Sequence, residues 1–127
     1  MQEVKVRVWD KEMKQMIYQG DDDYSFILEE NGLKVYDKNM RIQIDHEAML
    51  STGLTDVNGV EIYGGDILSG TIFDEYNCSY EKVLGEVYYA NDGTWVCDTY
   101  LLGYLYNTLE VIGNIHQNKD LLREIEK

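Results

Sequence analysis

Thr52-Gly53-Leu54-Thr55-Asp56-Val57-Asn58-Gly59-Val60-Glu61-Ile62-Tyr63-Gly64-Gly65-Asp66-Ile67-Leu68 is the most patterned stretch of the chain. Asn58-Gly59 reads as a tight turn. Val60 and Ile62 then alternate with Glu61 and Tyr63, the period of a strand whose two faces differ. Gly64-Gly65-Asp66 is a second turn, and it delivers Ile67 and Leu68 into another strand. Turn, short strand, turn, strand within seventeen residues predicts a body of short antiparallel strands.

Upstream the same rhythm holds. Val4, Val6 and Val8 alternate with Lys5, Arg7 and Trp9, which predicts a half-buried strand. Asp10-Lys11-Glu12 turns the chain, and Met16-Ile17-Tyr18 returns as its hairpin partner. Gly20-Asp21-Asp22-Asp23 is a loop. Ser25–Leu28 and Leu33–Tyr36 flank Asn31-Gly32, a strong hairpin signal because both residues accept positive φ. Ile42 and Ile44 suggest a further short strand, and His46–Leu50 a helical turn or a loop.

Downstream, Lys82–Tyr89 reads as a strand with Val83, Gly85, Val87 and Tyr89 on one face. Asn91-Asp92-Gly93 turns it, and Trp95–Asp98 pairs back. Tyr100–Tyr106 has Leu101, Leu102 and Leu105 at helical spacing. Leu109–Ile115 is a strand with Val111, Gly113 and Ile115 on one face. Asn118 caps a terminal helix striped by Leu121, Leu122 and Ile125, with Asp120 in its first turn. Strands spaced about every ten residues predict a mainly β fold, α+β at the margin. The expected form is a small SH3-like or related barrel with a short C-terminal helix. A glycine-aspartate pair entering an aliphatic strand is common in such barrels, an analogy of fold that carries no function. No linker divides residues 1–127, which predicts one domain, or two intimate β sub-domains at about 1–50 and 51–127.

Composition bounds the function. The 127 residues are 44% hydrophobic and 28% charged, enough apolar material for a core without disulfides. Eleven Lys and Arg face 24 Asp and Glu, a net charge of −13, which opposes a broad phosphate-gripping surface. The charge is uneven: residues 1–50 hold 7 basic and 11 acidic side chains, residues 51–127 hold 4 and 13. Any basic patch therefore draws on Lys5, Arg7, Lys11, Lys14, Lys34, Lys38 and Arg41. No apolar run reaches membrane-spanning length and the start lacks a secretory pattern, so a cytoplasmic home is expected. Cys78 and Cys97 lack metal-ligand spacing and read as separate small hydrophobes rather than a bridge.

No motif for chemistry stands out. Asp21-Asp22-Asp23 lacks the ligand spacing of a calcium loop and reads as solvated acid. His46 lies between Asp45 and Glu47, and His116 stands alone; neither has ExxH or HxxxH spacing, and both read as surface histidines. A cysteine–histidine pair has no local nucleophile signature, and Gly64-Gly65 lacks the lysine of a phosphate loop. Gly53, Gly59, Gly65, Gly93 and Gly113 read as turn or close-approach positions, and Ile62, Ile67, Val111 and Ile115 as core. The surplus is aromatic: Tyr76, Tyr80, Tyr88, Tyr89, Tyr100, Tyr104 and Tyr106. Each alone reads as half-buried on its own sheet, yet the set suggests a protein contact.

Three blocks, Val6-Arg7-Val8-Trp9-Asp10-Lys11-Glu12, Thr52–Leu68 and Glu110-Val111-Ile112-Gly113-Asn114-Ile115-His116-Gln117-Asn118, together resemble the YopX family of small phage and prophage proteins. They fall in the expected order and span nearly the whole chain. Ser51 stands where the family often has an aromatic residue, Gly64 where it often has an acidic one, and Lys119 where it often has proline. The resemblance implies a mainly β accessory protein of phage origin in a bacterial cytoplasm. It implies no reaction, catalytic residue, cofactor or metal. The expected role is a non-enzymatic interaction protein that self-associates and binds a phage or host protein. Nucleic-acid binding through a barrel face and an acidic imitation of DNA are the rival readings.

Overall fold

The computed structural model describes residues 5–39 and 42–126. Val4 and Arg41 lie outside that range. Among the described residues the fold is mainly β, built of antiparallel sheets with a half-barrel and one short α-helix. The chain divides into two compact units, Met1–Leu50 and Ser51–Lys127.

In the first unit β1 (Val6–Asp10) pairs with β2 (Gln15–Tyr18), Val8 facing Ile17. Asp10 makes the turn between them, its carboxylate accepting the amides of Glu12 (3.0 Å) and Met13 (3.1 Å). The expected half-buried strand is covered on both faces: Val8 is fully buried, and Arg7 and Asp10 are buried as well. Val6 and Val8 face this unit's core, which covers one of the two faces. β3 (Tyr24–Glu29) and β4 (Gly32–Asp37) form a hairpin. Its central pair is Glu30-Asn31, and the left-handed conformation falls on Gly32 alone, at φ 114°. Asn31 thus does not take the positive φ its pairing with glycine suggests. Val8, Ile17 and Val35 form this unit's core, with Phe26, Leu33 and Ile44 against it.

Two expectations fail here. Ile42–Ile44 is no strand; only Gln43 bridges to Tyr36, through Asp37 N to Ile42 O (3.0 Å) and Ile44 N to Val35 O (2.7 Å). His46–Leu50 is neither helix nor loop. It begins β5 (His46–Thr55), a ten-residue strand whose first half pairs with β1 from Asp10↔His46 to Val6↔Leu50. Backbone pairing with β1 overrides the helical preference of Glu47-Ala48-Met49-Leu50.

The second half of β5 pairs with β6 (Glu61–Tyr63), and the register shifts between Ser51 and Thr55. Gly53, at φ 79°, takes up this bulge. Thr52 Oγ1 donates to Ile62 O at 2.8 Å and accepts Leu54 N at 3.1 Å, so the Thr-Gly-Leu step is a fastening of β5 to β6. β7 (Asp66–Asp74), β8 (Ser79–Tyr89), β9 (Trp95–Cys97), β10 (Tyr100–Leu101) and β11 (Leu109–Asn114) form one sheet in the order β10-β9-β8-β7-β11. The helical spacing at Tyr100–Tyr106 yields a two-residue strand, α1 (Leu102–Leu105) and a 3₁₀ turn at Tyr106–Thr108. The C-terminal helix, Lys119–Glu126, is of the tighter 3₁₀ kind.

Ile62, Leu68, Val83, Val87, Cys97, Leu102 and Leu109 form the core of this unit. Ile67 is buried as expected, whereas Val111 and Ile115 are only half-buried. A bulge between Val111 and Gly113 breaks the face on which they were expected to align. Two unforeseen glycines hold this sheet close: a Cβ on Gly70 would stand 2.7 Å from the Thr108 carbonyl, and one on Gly85 2.9 Å from the Asp98 amide.

Candidate functional site

Among the described residues, no group of three or more His, Cys, Asp or Glu side chains could hold a metal ion. Asp21, Asp22 and Asp23 are exposed, and Asp21 spends a carboxylate oxygen on the Asp23 amide at 3.0 Å. His46 belongs to the first unit and His116 to the second. His46 lines an open concavity of about 390 Å³ with Leu33, Lys34, Gln43, Ile44 and Asp45. Its Nδ1 lies 3.1 Å from the Ile44 carbonyl, and Asp45 faces solvent within 3.9 Å of Lys11 Nζ. This is a shallow polar dish, without the enclosure that excludes water from a reacting centre.

The shared motifs resolve into fastenings. Asp56 is buried, and its carboxylate takes three amides: Asn58 at 2.8 Å, Val60 at 2.9 Å and Val111 at 2.8 Å. It closes the Asn58-Gly59 turn and ties it to β11. Burial pushes its pKa up, but the three amide bonds hold it below the usual 3.8. Asp66 does similar work at the next turn, accepting Tyr63 N at 2.8 Å. Asn114 accepts the amides of His116 and Gln117 at 3.0 Å. Asn118 does not cap the terminal helix with its side chain. Its Oδ1 reaches back to Asn114 N at 3.1 Å, over Gly113, where a Cβ would collide with it.

The two cysteines are free, Cys97 buried and Cys78 exposed. Cys97 is the small hydrophobe expected; its Sγ lies 3.6 Å from Gly85 O, and burial pushes its thiol up to about 12, with Asp98 adding to the shift. Cys78 is not: it sits in the β7–β8 turn at φ 50°. Cys97 faces Val87, nine residues along β8 from Cys78, or roughly 30 Å of extended strand.

The seven tyrosines do not gather into one patch. Tyr100 and Tyr106 pack against the core. Tyr89 meets Trp95 edge-on at 5.0 Å. Tyr88 is exposed beside the Asp98 carbonyl, and Tyr104 is exposed on α1. Tyr76 and Tyr80 belong to a separate feature. β11 pairs with β7 only over Asp66–Gly70, and β9 with β8 only over Val87–Tyr89. Beyond Gly70 and Val83 the β7–β8 hairpin continues as a two-stranded arm, from Thr71↔Lys82 to Asp74↔Ser79. At its root Ile72 packs on the core and Tyr100 Oη donates to Glu81 Oε2 at 2.8 Å. At its end Phe73 and Tyr80 pair with ring centroids 5.1 Å apart. Asp74 shapes the turn by accepting Tyr76 N and Asn77 Nδ2. Phe73, Tyr76 and Tyr80 are 50%, 95% and 76% exposed. Phe73 was missed from sequence because its cross-strand partner is seven residues away and only the register unites them.

No helix among the described residues is long and apolar enough to cross a membrane. Among curated proteins, none matches the chain. The crystal structure of protein EF1440 from Enterococcus faecalis is similar, at 27% identity over 96% of this chain and 99% of that one, with a TM-score of 0.61. So is the crystal structure of protein yopX from Bacillus subtilis, at 28% identity over 93% and 95% of the two chains, with a TM-score of 0.65. The sequence model of the YopX protein family matches residues 5–123, and with these likenesses over nearly its whole length the chain belongs to the YopX family.

Proposed function

We propose that this YopX-family chain is a non-enzymatic interaction protein, phage- or prophage-encoded, that self-associates through the aromatic arm of β7 and β8. The observation that carries the reading is the exposure of Phe73, Tyr76 and Tyr80 at the outer end of a hairpin, where, among the described residues, no other strand of its sheet flanks it. A two-stranded ribbon is marginal alone, and packing against a second surface would hold it. Three such rings offer on the order of 400 Å², about half of what each side of a standard interface buries. The contact is therefore a weak dimer, concentration-dependent, with further area to be supplied by a phage or host protein.

Charge shapes its behaviour. Asp74, Glu75 and Glu81 outnumber Lys82 on the arm, and the whole chain carries −13. Like charges oppose the approach of two copies, so salt strengthens the dimer by screening. The same acidity disfavours stacking of the arm's rings on nucleic-acid bases. Light scattering over a concentration series tests the reading. Self-association that rises with salt and disappears in Phe73→Ser/Tyr80→Ser supports it; a strict monomer at millimolar concentration overturns it.

A further inference from the structure

β3 presents an open backbone edge. Its partner β4 turns the backbone groups of Val35 and Asp37 away from it, toward Ile42 and Ile44. In an antiparallel pair such groups alternate, so Gly32, Lys34 and Tyr36 face β3 and bond Glu29, Ile27 and Ser25. The N–H and C=O groups of Phe26 and Leu28 therefore point outward, away from β4. Among the described residues no strand pairs with that side. Leu28, on the same face as Phe26 and Val35, is 82% exposed, an apolar anchor at the end of a core face that continues to the edge.

The charges around this edge select its occupant. Residues 20–31 contain five acidic side chains, Asp21, Asp22, Asp23, Glu29 and Glu30, and no basic one. All five are exposed, three before the strand and two at its far end. A second copy pairing antiparallel about Phe26 would set Asp21–Asp23 of each chain beside Glu29 and Glu30 of the other. Opposed like charges of that kind are a device that keeps identical edges apart. A strand with the opposite charge at both ends would be drawn in and held in register.

We propose that the outer edge of β3 is a strand-addition site for an extended protein segment with alternating apolar side chains and lysine or arginine at both ends. The segment's backbone would bond Phe26 and Leu28, and its apolar side chains would cover Leu28. This site lies in the first unit and does not depend on the arm.

The test uses the full chain and an acetylated peptide, Lys-Lys-Val-Thr-Val-Thr-Val-Lys-Lys, followed by amide chemical shifts and calorimetry. The expected result is shifts confined to Tyr24–Glu29 and their β4 partners, with binding weakened at least tenfold by a rise in salt from 0.05 to 0.5 M. The same peptide with Glu for Lys should bind at least tenfold more weakly. Leu28→Pro removes one outward N–H without touching the β4 ladder, a place where an edge strand accepts proline, and should weaken binding tenfold. Should that variant misfold, Glu29→Lys/Glu30→Lys must narrow the preference between the two peptides. No shift at β3, equal binding of both peptides, or β3 shifts that follow protein concentration without peptide would each overturn the proposal. The last result would assign the edge to a second copy. Phe73→Ser/Tyr80→Ser should leave peptide binding unchanged, which separates failure here from failure of the arm as a dimer contact.

Discussion

The two units solve the same problem on different scales. Among the described residues, the contiguous core of Ser51–Lys127 is a cluster of seven buried Ile, Leu, Val and Cys side chains. That of Met1–Leu50 is a cluster of three, Val8, Ile17 and Val35, and each unit also buries polar groups, Arg7 and Asp10 in the first and Asp56, Asp66 and Asn114 in the second. A unit of fifty residues excludes little apolar surface from water, so each buried group there weighs more and local bonds such as those of Asp10 matter. The comparison teaches that stability concentrates in the second unit, while the first is poised nearer to opening.

The largest expected effect tests the stronger core. Leu68→Ala deletes a fully buried side chain and should destabilise the second unit by about 2–5 kcal/mol, read from urea unfolding. A loss below about 1 kcal/mol would mean that this core is not where its stability resides.

Asp56→Ala comes next, at about 2–4 kcal/mol, since three amides lose their acceptor and only some regain water. The effect depends on pH. The folded pKa lies below the usual 3.8, so the stabilisation is present above the unfolded value and is lost as pH falls through the folded one. The stability gap between wild type and variant should shrink below pH 3.8; a constant gap would show that the carboxylate's charge is immaterial.

Val35→Ala removes about 2 kcal/mol from the smaller core. Amide exchange should then speed up in β1–β4 and stay slow in β7 and β8. Uniform acceleration would dissolve the contrast between the units.

Thiol labelling sharpens it further with little perturbation. At pH 8 Cys78 should react fast, whereas Cys97, buried with its pKa near 12, should react only when the second unit opens. Smallest of all, Phe73→Ser/Tyr80→Ser should change stability by less than about 1 kcal/mol, because exposed side chains surrender little on removal.

The sequence by itself determined most turns and strands. Asn58-Gly59, Gly64-Gly65-Asp66 and Asn91-Asp92-Gly93 are legible because turn chemistry resides in adjacent residues. Alternation at Val6–Trp9 and Lys82–Tyr89 is legible because one face of each strand packs on a hydrophobic core. Tertiary structure decided the rest. His46–Leu50 became strand because β1 lay beside it, and Asn118 turned back because Gly113 left room for its amide. Gly70 and Gly85 are required by backbone from Thr108 and Asp98, tens of residues or a hairpin away. The aromatic arm and the acid-flanked edge of β3 depend on where neighbouring strands end and on which edge stays unpaired among the described residues. Pairing between distant segments sets that, and no local pattern of side chains encodes it.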